Sequence, residues 1–245
     1  MRFRDLVPKF ARPYLKPIYK LFKNVARRRV GRDKIQAYWI RPWDKGNLPI
    51  TSLTSKEGHR WSQFLVEIIK HYAQPDFRIL EIGCGAGRNL SYLYSNGFKH
   101  LSGVEISPEA VELLRQYHAD MATHLTFYNS PIEEAVRKFR DDEFDLVYTM
   151  AVFQHIHPDS EWIFQEIVRI TKVYLLAIEN EKVETWRHFP RNYKNVFESL
   201  GMRQVEEIHW SDLDGESTSY FGRVFSKHAI GTGKKRAANE THFLK

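Results

Sequence analysis

Five short apolar runs, at 77–82, 101–106, 125–129, 144–150 and 173–179, recur along the middle of this chain with helical stretches between them. Short buried strands alternating with helices demand a mostly parallel sheet with helices on both faces. The intervening helices are expected after the first strand up to Asn96, from Pro108 to Ala119, over 131–139 and over 159–170. The pattern then changes. A helix at 191–200 precedes two more strands, 202–210 and 220–227, joined by an acidic, polar loop. They read as an antiparallel pair closing the sheet, which makes the fold class α/β, doubly wound and seven-stranded.

The chain before this alternation is of another kind. Residues 1–34 carry Pro8, Pro13 and Pro17, which keep the early part irregular, while Ile18, Leu21, Phe22 and Val25 follow at helical spacing. From about Gln36 to Lys56 the density of Pro, Gly and Trp predicts a loop or short turns. An amphipathic helix over 58–73 carries Trp61, Phe64, Leu65, Ile68 and Ile69. The expected division is a basic arm at 1–34, an aromatic cap at 35–74, the α/β domain at 75–228 and a basic tail at 229–245.

The charge follows that division. The 245 residues hold 37 Lys and Arg against 30 Asp and Glu, a net of +7. Residues 1–34 contribute +10 and residues 227–245 contribute +4, so the body between them is acidic, at −7. A broad nucleic-acid surface is therefore disfavoured. Phe3, Leu6, Val7, Phe10, Leu21 and Phe22 interleave with the charges of the arm. That pattern favours an anionic membrane surface over phosphate contacts to nucleic acid or a plain solvated arm. One Cys excludes a disulfide framework and a multi-Cys zinc site, no metal is expected, and no apolar run is long enough to span a bilayer. These features predict a cytoplasmic protein, peripheral on the inner face of the membrane.

The strongest local signal is Glu81-Ile-Gly83-Cys-Gly85-Ala-Gly87-Arg88-Asn89, directly after the first strand and opening a helix. Glycines there allow a tight turn and close approach of backbone to ligand, and Glu105 ends the next strand, placed for ribose hydroxyls. Together they read as a nucleoside-binding βαβ unit. A dinucleotide fingerprint would need its third glycine where Arg88 stands, which disfavours a nicotinamide enzyme. At these residues the sequence resembles the class I S-adenosylmethionine (SAM)-dependent methyltransferases, over about 77–227. The resemblance implies their Rossmann-like sheet and SAM as cofactor. It places Gly83, Gly85 and Gly87 along the methionine part, Glu81 and Asn89 in the same motif, and Glu105 on the ribose. Asn129 and Ser130 would stand near the adenine amino group with Ile132 beside the ring, although Asn129 also suits an ordinary turn.

The fourth strand runs into Met150-Ala-Val-Phe153-Gln154-His155-Ile-His157-Pro158-Asp159, similar to an aromatic-x-His-x-x-Pro-Asp stretch that faces the methyl donor in many small-molecule and glycan methyltransferases. Met150 is therefore assigned to the cofactor. His155 is the candidate general base, the competing reading being a loop residue bonded to backbone. Asp159 reads as the N-cap of the next helix. Ligands sit beyond the carboxyl ends of parallel strands, so Glu179 and His188, after the fifth strand, are candidates for the acceptor, or else solvated loop charges. Trp39 and Arg41 belong to a segment expected to close over the cofactor pocket or to pack on the sheet edge. The predicted activity is methylation of a hydroxyl or similar group on a small molecule or glycan, possible cell-envelope chemistry included. RNA or protein methylation and an inactive SAM-binding regulatory subunit are the alternatives.

Overall fold

The computed structural model describes residues 30–209 and 219–227. Most of the basic arm, the loop between the last two strands and the basic tail lie outside the described residues. The first helix, α1 (Arg32–Ile40), is followed by a 3₁₀ turn at Lys45–Asn47, then α2 (Pro49–Thr54) and α3 (Lys56–Tyr72). Two expectations change here. The stretch read as loop is largely helical, and α1 runs across the boundary drawn at 34/35. The cause is packing: Ile35 and Tyr38 are buried on one side of α1, so tertiary contacts outweigh the turn-forming residues that follow. Ser55 caps α3 by accepting from the Gly58 N–H at 3.1 Å.

The alternation follows as β1 (Ile79–Ile82), α4 (Arg88–Ser95), β2 (Leu101–Glu105), α5 (Pro108–Tyr117), α6 (Ala119–His124), β3 (Thr126–Asn129), α7 (Ile132–Ala135) and β4 (Phe144–Met150). Short 3₁₀ turns at Phe153–His155 and Pro158–Ser160 lead to α8 (Ile163–Ile170), β5 (Thr171–Asn180), α9 (Tyr193–Ser199), β6 (Arg203–His209) and β7 (Tyr220–Ser226). Asp159 does not cap α8. It is exposed, and its N–H instead meets the His157 ring at 3.2 Å, so His157 caps the 3₁₀ turn.

The seven strands lie in the order β3-β2-β1-β4-β5-β7-β6. All neighbours up to β5 are parallel, and β7 inserts antiparallel between β5 and β6. Side chains alternate across the sheet and explain why the central strands are apolar throughout. Leu80, Ile82, Val147, Leu175 and Ala177 pack on one face with Phe164, Ile167 and Phe197 of α8 and α9. Ile79, Leu146, Leu176 and Ile178 pack on the other with Leu65, Ile69, Leu90 and Leu114 from α3, α4 and α5. Edge strands β3 and β6 are more exposed. The chain leaves β1 towards β2 and later returns to lay β4 on its other side. That reversal opens a crevice beyond the carboxyl ends of β1 and β4. Among the described residues no helix is long and apolar enough to cross a membrane.

Candidate active site

At the crevice lies a cavity of about 540 Å³, walled on one side by the β1, β2 and β4 termini and on the other by α1, α2 and α3. Gly83, Gly85 and Gly87 all have positive φ. A Cβ at Gly83 would collide with Val152 at the end of β4, so glycine there lets the two strand ends meet. A Cβ at Gly85, with φ of 53°, would meet nothing within 4 Å and would point into open space.

Glu105 shapes the floor. Its Oε2 accepts from the Gly85 N–H and its Oε1 from the Ser107 N–H, both at 2.8 Å. Burial pushes its pKa up, opposed by these backbone donors. Each oxygen keeps a second lone pair for a hydroxyl. Glu81 is buried and accepts from Asn89 Nδ2 at 2.7 Å, while Asn89 Oδ1 accepts from Ser62. Burial lifts Glu81 to about 7 against that bond. Its Oε2 is buried beside the Tyr148 hydroxyl. A carboxyl group beside a glycine cradle, with ribose-ready oxygens one strand away, fits the ammonium and ribose of SAM. Ser130, Ile132 and Met150 line the same cavity.

Asn129 does not. Its amide donates to the Glu105 carbonyl at 2.8 Å, tying β3 to β2, and the cavity passes it by. This corrects its assignment to the cofactor.

Glu179 is corrected as well. It is completely buried, and its Oε1 accepts from Thr149 Oγ1 and the N–H groups of Val152 and Phe153 at 2.9–3.0 Å. Its Oε2 accepts from the Gln154 N–H at 3.2 Å. Burial raises it to about 7 against these four bonds. With its oxygens turned into the loop after β4, it holds that loop and does not line the cavity.

The loop held in this way presents His155. Its Nδ1 lies 2.9 Å from the Arg187 carbonyl, and its ring centroid lies 4.3 Å from that of Trp39 and 4.7 Å from that of His188. A carbonyl only accepts, so Nδ1 carries the proton and Nε2 the free lone pair, 3.3 Å from the Gln154 amide nitrogen. Burial drives His155 down to about 3 and His188 down to about 4. Both rings are neutral near pH 7.

Trp39 and His188 line the cavity, whereas Arg41 is exposed and stands outside it. Arg187 lines the cavity beside them, a residue that the sequence reading does not single out. Its guanidinium lies 5.2 Å from the Tyr38 ring and 5.7 Å from that of Trp39. Gln154 and Tyr220 were passed over too; both line the cavity. The run Trp186-Arg187-His188-Phe189 after the fifth strand holds a signal for Arg187, but only the packing of α1 against this loop selects it over Arg41. Among the described residues no group of three or more His, Cys, Asp and Glu side chains is arranged to hold a metal ion.

Residues 80–174 match a family described as a methyltransferase domain. A tRNA U34 carboxymethyltransferase of Shewanella halifaxensis is 28% identical over 133 residues, 51% of this chain and 38% of that protein. A ubiquinone biosynthesis O-methyltransferase of Rickettsia bellii is 24% identical over 162 residues, 59% of this chain and 65% of that one. The chain thus spans less than two thirds of the length of either relative. A SAM-dependent methyltransferase structure from Methanosarcina mazei superposes with a TM-score of 0.53 at 19% identity, covering 65% of this chain and 96% of that one. Family match, strand order and glycine cradle agree: residues 80–174 form a methyltransferase domain with the class I fold, and its cofactor is SAM.

Two outcomes follow from this geometry. Gly85→Val places a branched side chain in the cradle and should abolish SAM binding in calorimetry while the circular dichroism spectrum stays folded; unaltered affinity would contradict the site. Glu179→Leu strands three buried N–H groups, each costing about 1–3 kcal/mol. Urea unfolding should show a loss of at least about 3 kcal/mol, with Glu179→Gln milder.

Proposed function

We propose that this protein transfers the methyl group of SAM to a hydroxyl of a small molecule or glycan, with His155 as the general base. When bound, SAM supplies a strongly electrophilic methyl group, so the protein's task is alignment and proton removal. The observation that carries the reading is the tautomer of His155. With Nδ1–H committed to the Arg187 carbonyl, Nε2 holds a lone pair in the cavity wall, opposed only by a long contact to Gln154. An acceptor hydroxyl displacing that contact passes its proton to Nε2 as its oxygen is methylated. The Rickettsia relative, by its name an O-methyltransferase, supports a hydroxyl acceptor. The Shewanella relative, by its name, acts on tRNA; the acidic body of this chain, at −7, favours a smaller acceptor.

The basic arm completes the proposal. Its +10 charge and interleaved bulky residues suit an anionic membrane surface, where each Lys or Arg contributes about 1 kcal/mol. A cell-envelope acceptor would be met there.

The direct test is transfer of label from methyl-labelled SAM into fractionated extract. Incorporation into small-molecule or glycan fractions is expected, and incorporation into RNA or protein alone would refute the acceptor class. His155→Ala should lower kcat by about 10²–10⁴-fold with SAM affinity unchanged. Because burial holds His155 down at about 3, the wild-type kcat should show no His155 inflection across the neutral range. An inflection near the ordinary histidine value of about 6.5 that vanishes in His155→Ala would contradict the buried, neutral base. Sedimentation with anionic vesicles should be lost on removing residues 1–29, and equal sedimentation would refute the membrane role.

A further inference from the structure

The cap end of the cavity holds more hydrogen-bond donors than the protein satisfies. His188 Nε2 lies 3.1 Å from Arg187 Nη1, and a guanidinium only donates, so the neutral His188 ring carries its proton on Nδ1. That Nδ1 is buried without a partner. Trp39 Nε1, which can only donate, is also buried without a partner. Such donors cost about 1–3 kcal/mol each when left unpaired, and native interiors seldom leave them so.

Beside these rings stands a cation that is only loosely neutralised. The Arg187 side chain is 18% exposed, and the one carboxylate it pairs with among the described residues is Asp44, at 3.6 Å. Asp44 is already engaged by the Tyr38 hydroxyl and by Asn47 Nδ2 at 2.6 Å. Rings of Tyr38, Trp39 and Trp186 lie within 5.2–6.0 Å of the guanidinium, so most of its remaining surroundings are aromatic. Of its five N–H donors, one reaches His188 at hydrogen-bond distance. The glycine cradle and Glu81 sit on strand ends at the other side of the cavity, whereas Arg187 and Trp39 come from the loop after β5 and from α1.

We infer that Arg187, with the Nε1–H of Trp39 beside it, forms an oxyanion subsite that reads a carboxylate or phosphate on the methyl acceptor. This rests on the methyl-transfer reading above and narrows it to acceptors bearing a negative charge. A guanidinium with free donors matches both oxyanions in a planar, two-pronged way, and an indole N–H adds an acceptor-seeking contact without charge. A neutral acceptor would leave the Arg187 donors unpaired, and a cationic one would be repelled.

The test uses the full chain and methyl-labelled SAM. Small molecules and lipid-linked glycans, freed of protein and nucleic acid, are split on an anion-exchange resin into bound and flow-through pools before labelling. Label should enter the bound pool. Phosphatase treatment of the labelled product then tells the two sources apart: lost retention means phosphate, kept retention means carboxylate, and either supports the subsite. Arg187→Gln should raise KM for the bound pool by about 10- to 100-fold, the loss of charge-assisted hydrogen bonds, with the SAM dissociation constant unchanged by calorimetry. Arg187→Lys should recover part of the loss, and Trp39→Phe, which removes the N–H and leaves a smaller aromatic ring, should raise KM more modestly. Label confined to the flow-through pool would overturn the inference while leaving methyl transfer standing. Weakened SAM binding by Arg187→Gln with KM unchanged would also overturn it, by giving the guanidinium to the cofactor's own carboxylate. Label in neither pool would refute methyl transfer to these acceptors, a different failure from the other two.

Discussion

One buried carboxylate sets the shape of the acceptor side of this protein. Glu179, near the end of β5, accepts from three consecutive backbone N–H groups of the loop after β4 and from the Thr149 hydroxyl of β4 itself. Three N–H groups converging on one side chain bend the loop back over the strand ends, and Ala151 adopts a positive φ of 60° as it turns. Removing the charge from water is expensive, and these four donors are what make it tolerable. The outcome is that His155, one residue beyond the last of those N–H groups, is aimed at the cavity and at the following loop.

That following loop is stitched to the first by several hydrogen bonds. The Phe189 N–H donates to the Gln154 carbonyl at 2.7 Å, the Asn180 N–H to the Gln154 side chain at 2.8 Å, and Arg191 Nη2 to the Ile156 carbonyl at 2.9 Å. Further out, the buried Arg223 of β7 grips Glu181 through Nε and Nη2 at 2.7 and 2.9 Å. The antiparallel strand that closes the sheet therefore also anchors the loop bearing Arg187 and His188. The loops bearing His155 and Arg187 share one polar scaffold, and Tyr38 and Trp39 of α1, with Trp43 just beyond it, rest on those loops.

The cofactor half was largely legible in the chain because its determinants are local. A strand, a glycine turn and a helix start are neighbours in sequence, and the acid ending the next strand falls at a regular distance. Gly83, Gly85, Glu105, Ser130, Ile132 and Met150 were placed from such spacing and resemblance, and all of them line the cavity. Asn129 shows the limit of that reasoning. It stands at the expected register position but spends its amide on the neighbouring strand's carbonyl, a bond that depends on β2–β3 register. The helicity of α1 was missed for a related reason: it is stabilised by burying Ile35 and Tyr38, which local turn formers do not report.

By itself, the order of apolar runs and glycines determined the sheet, its helices and the nucleoside cradle, since periodicity and turn chemistry act between near neighbours. It also located the charge at the two ends of an acidic body. Only the tertiary structure decided between Arg41 and Arg187, and between Glu179 as a ligand and Glu179 as a clasp. A charged side chain's role depends on which donors and acceptors, far away in sequence, share its buried space. Arg41 and Arg187 are chemically alike, and the packing of α1 on the loop after β5 leaves one in water and encloses the other among aromatic rings at the cavity wall.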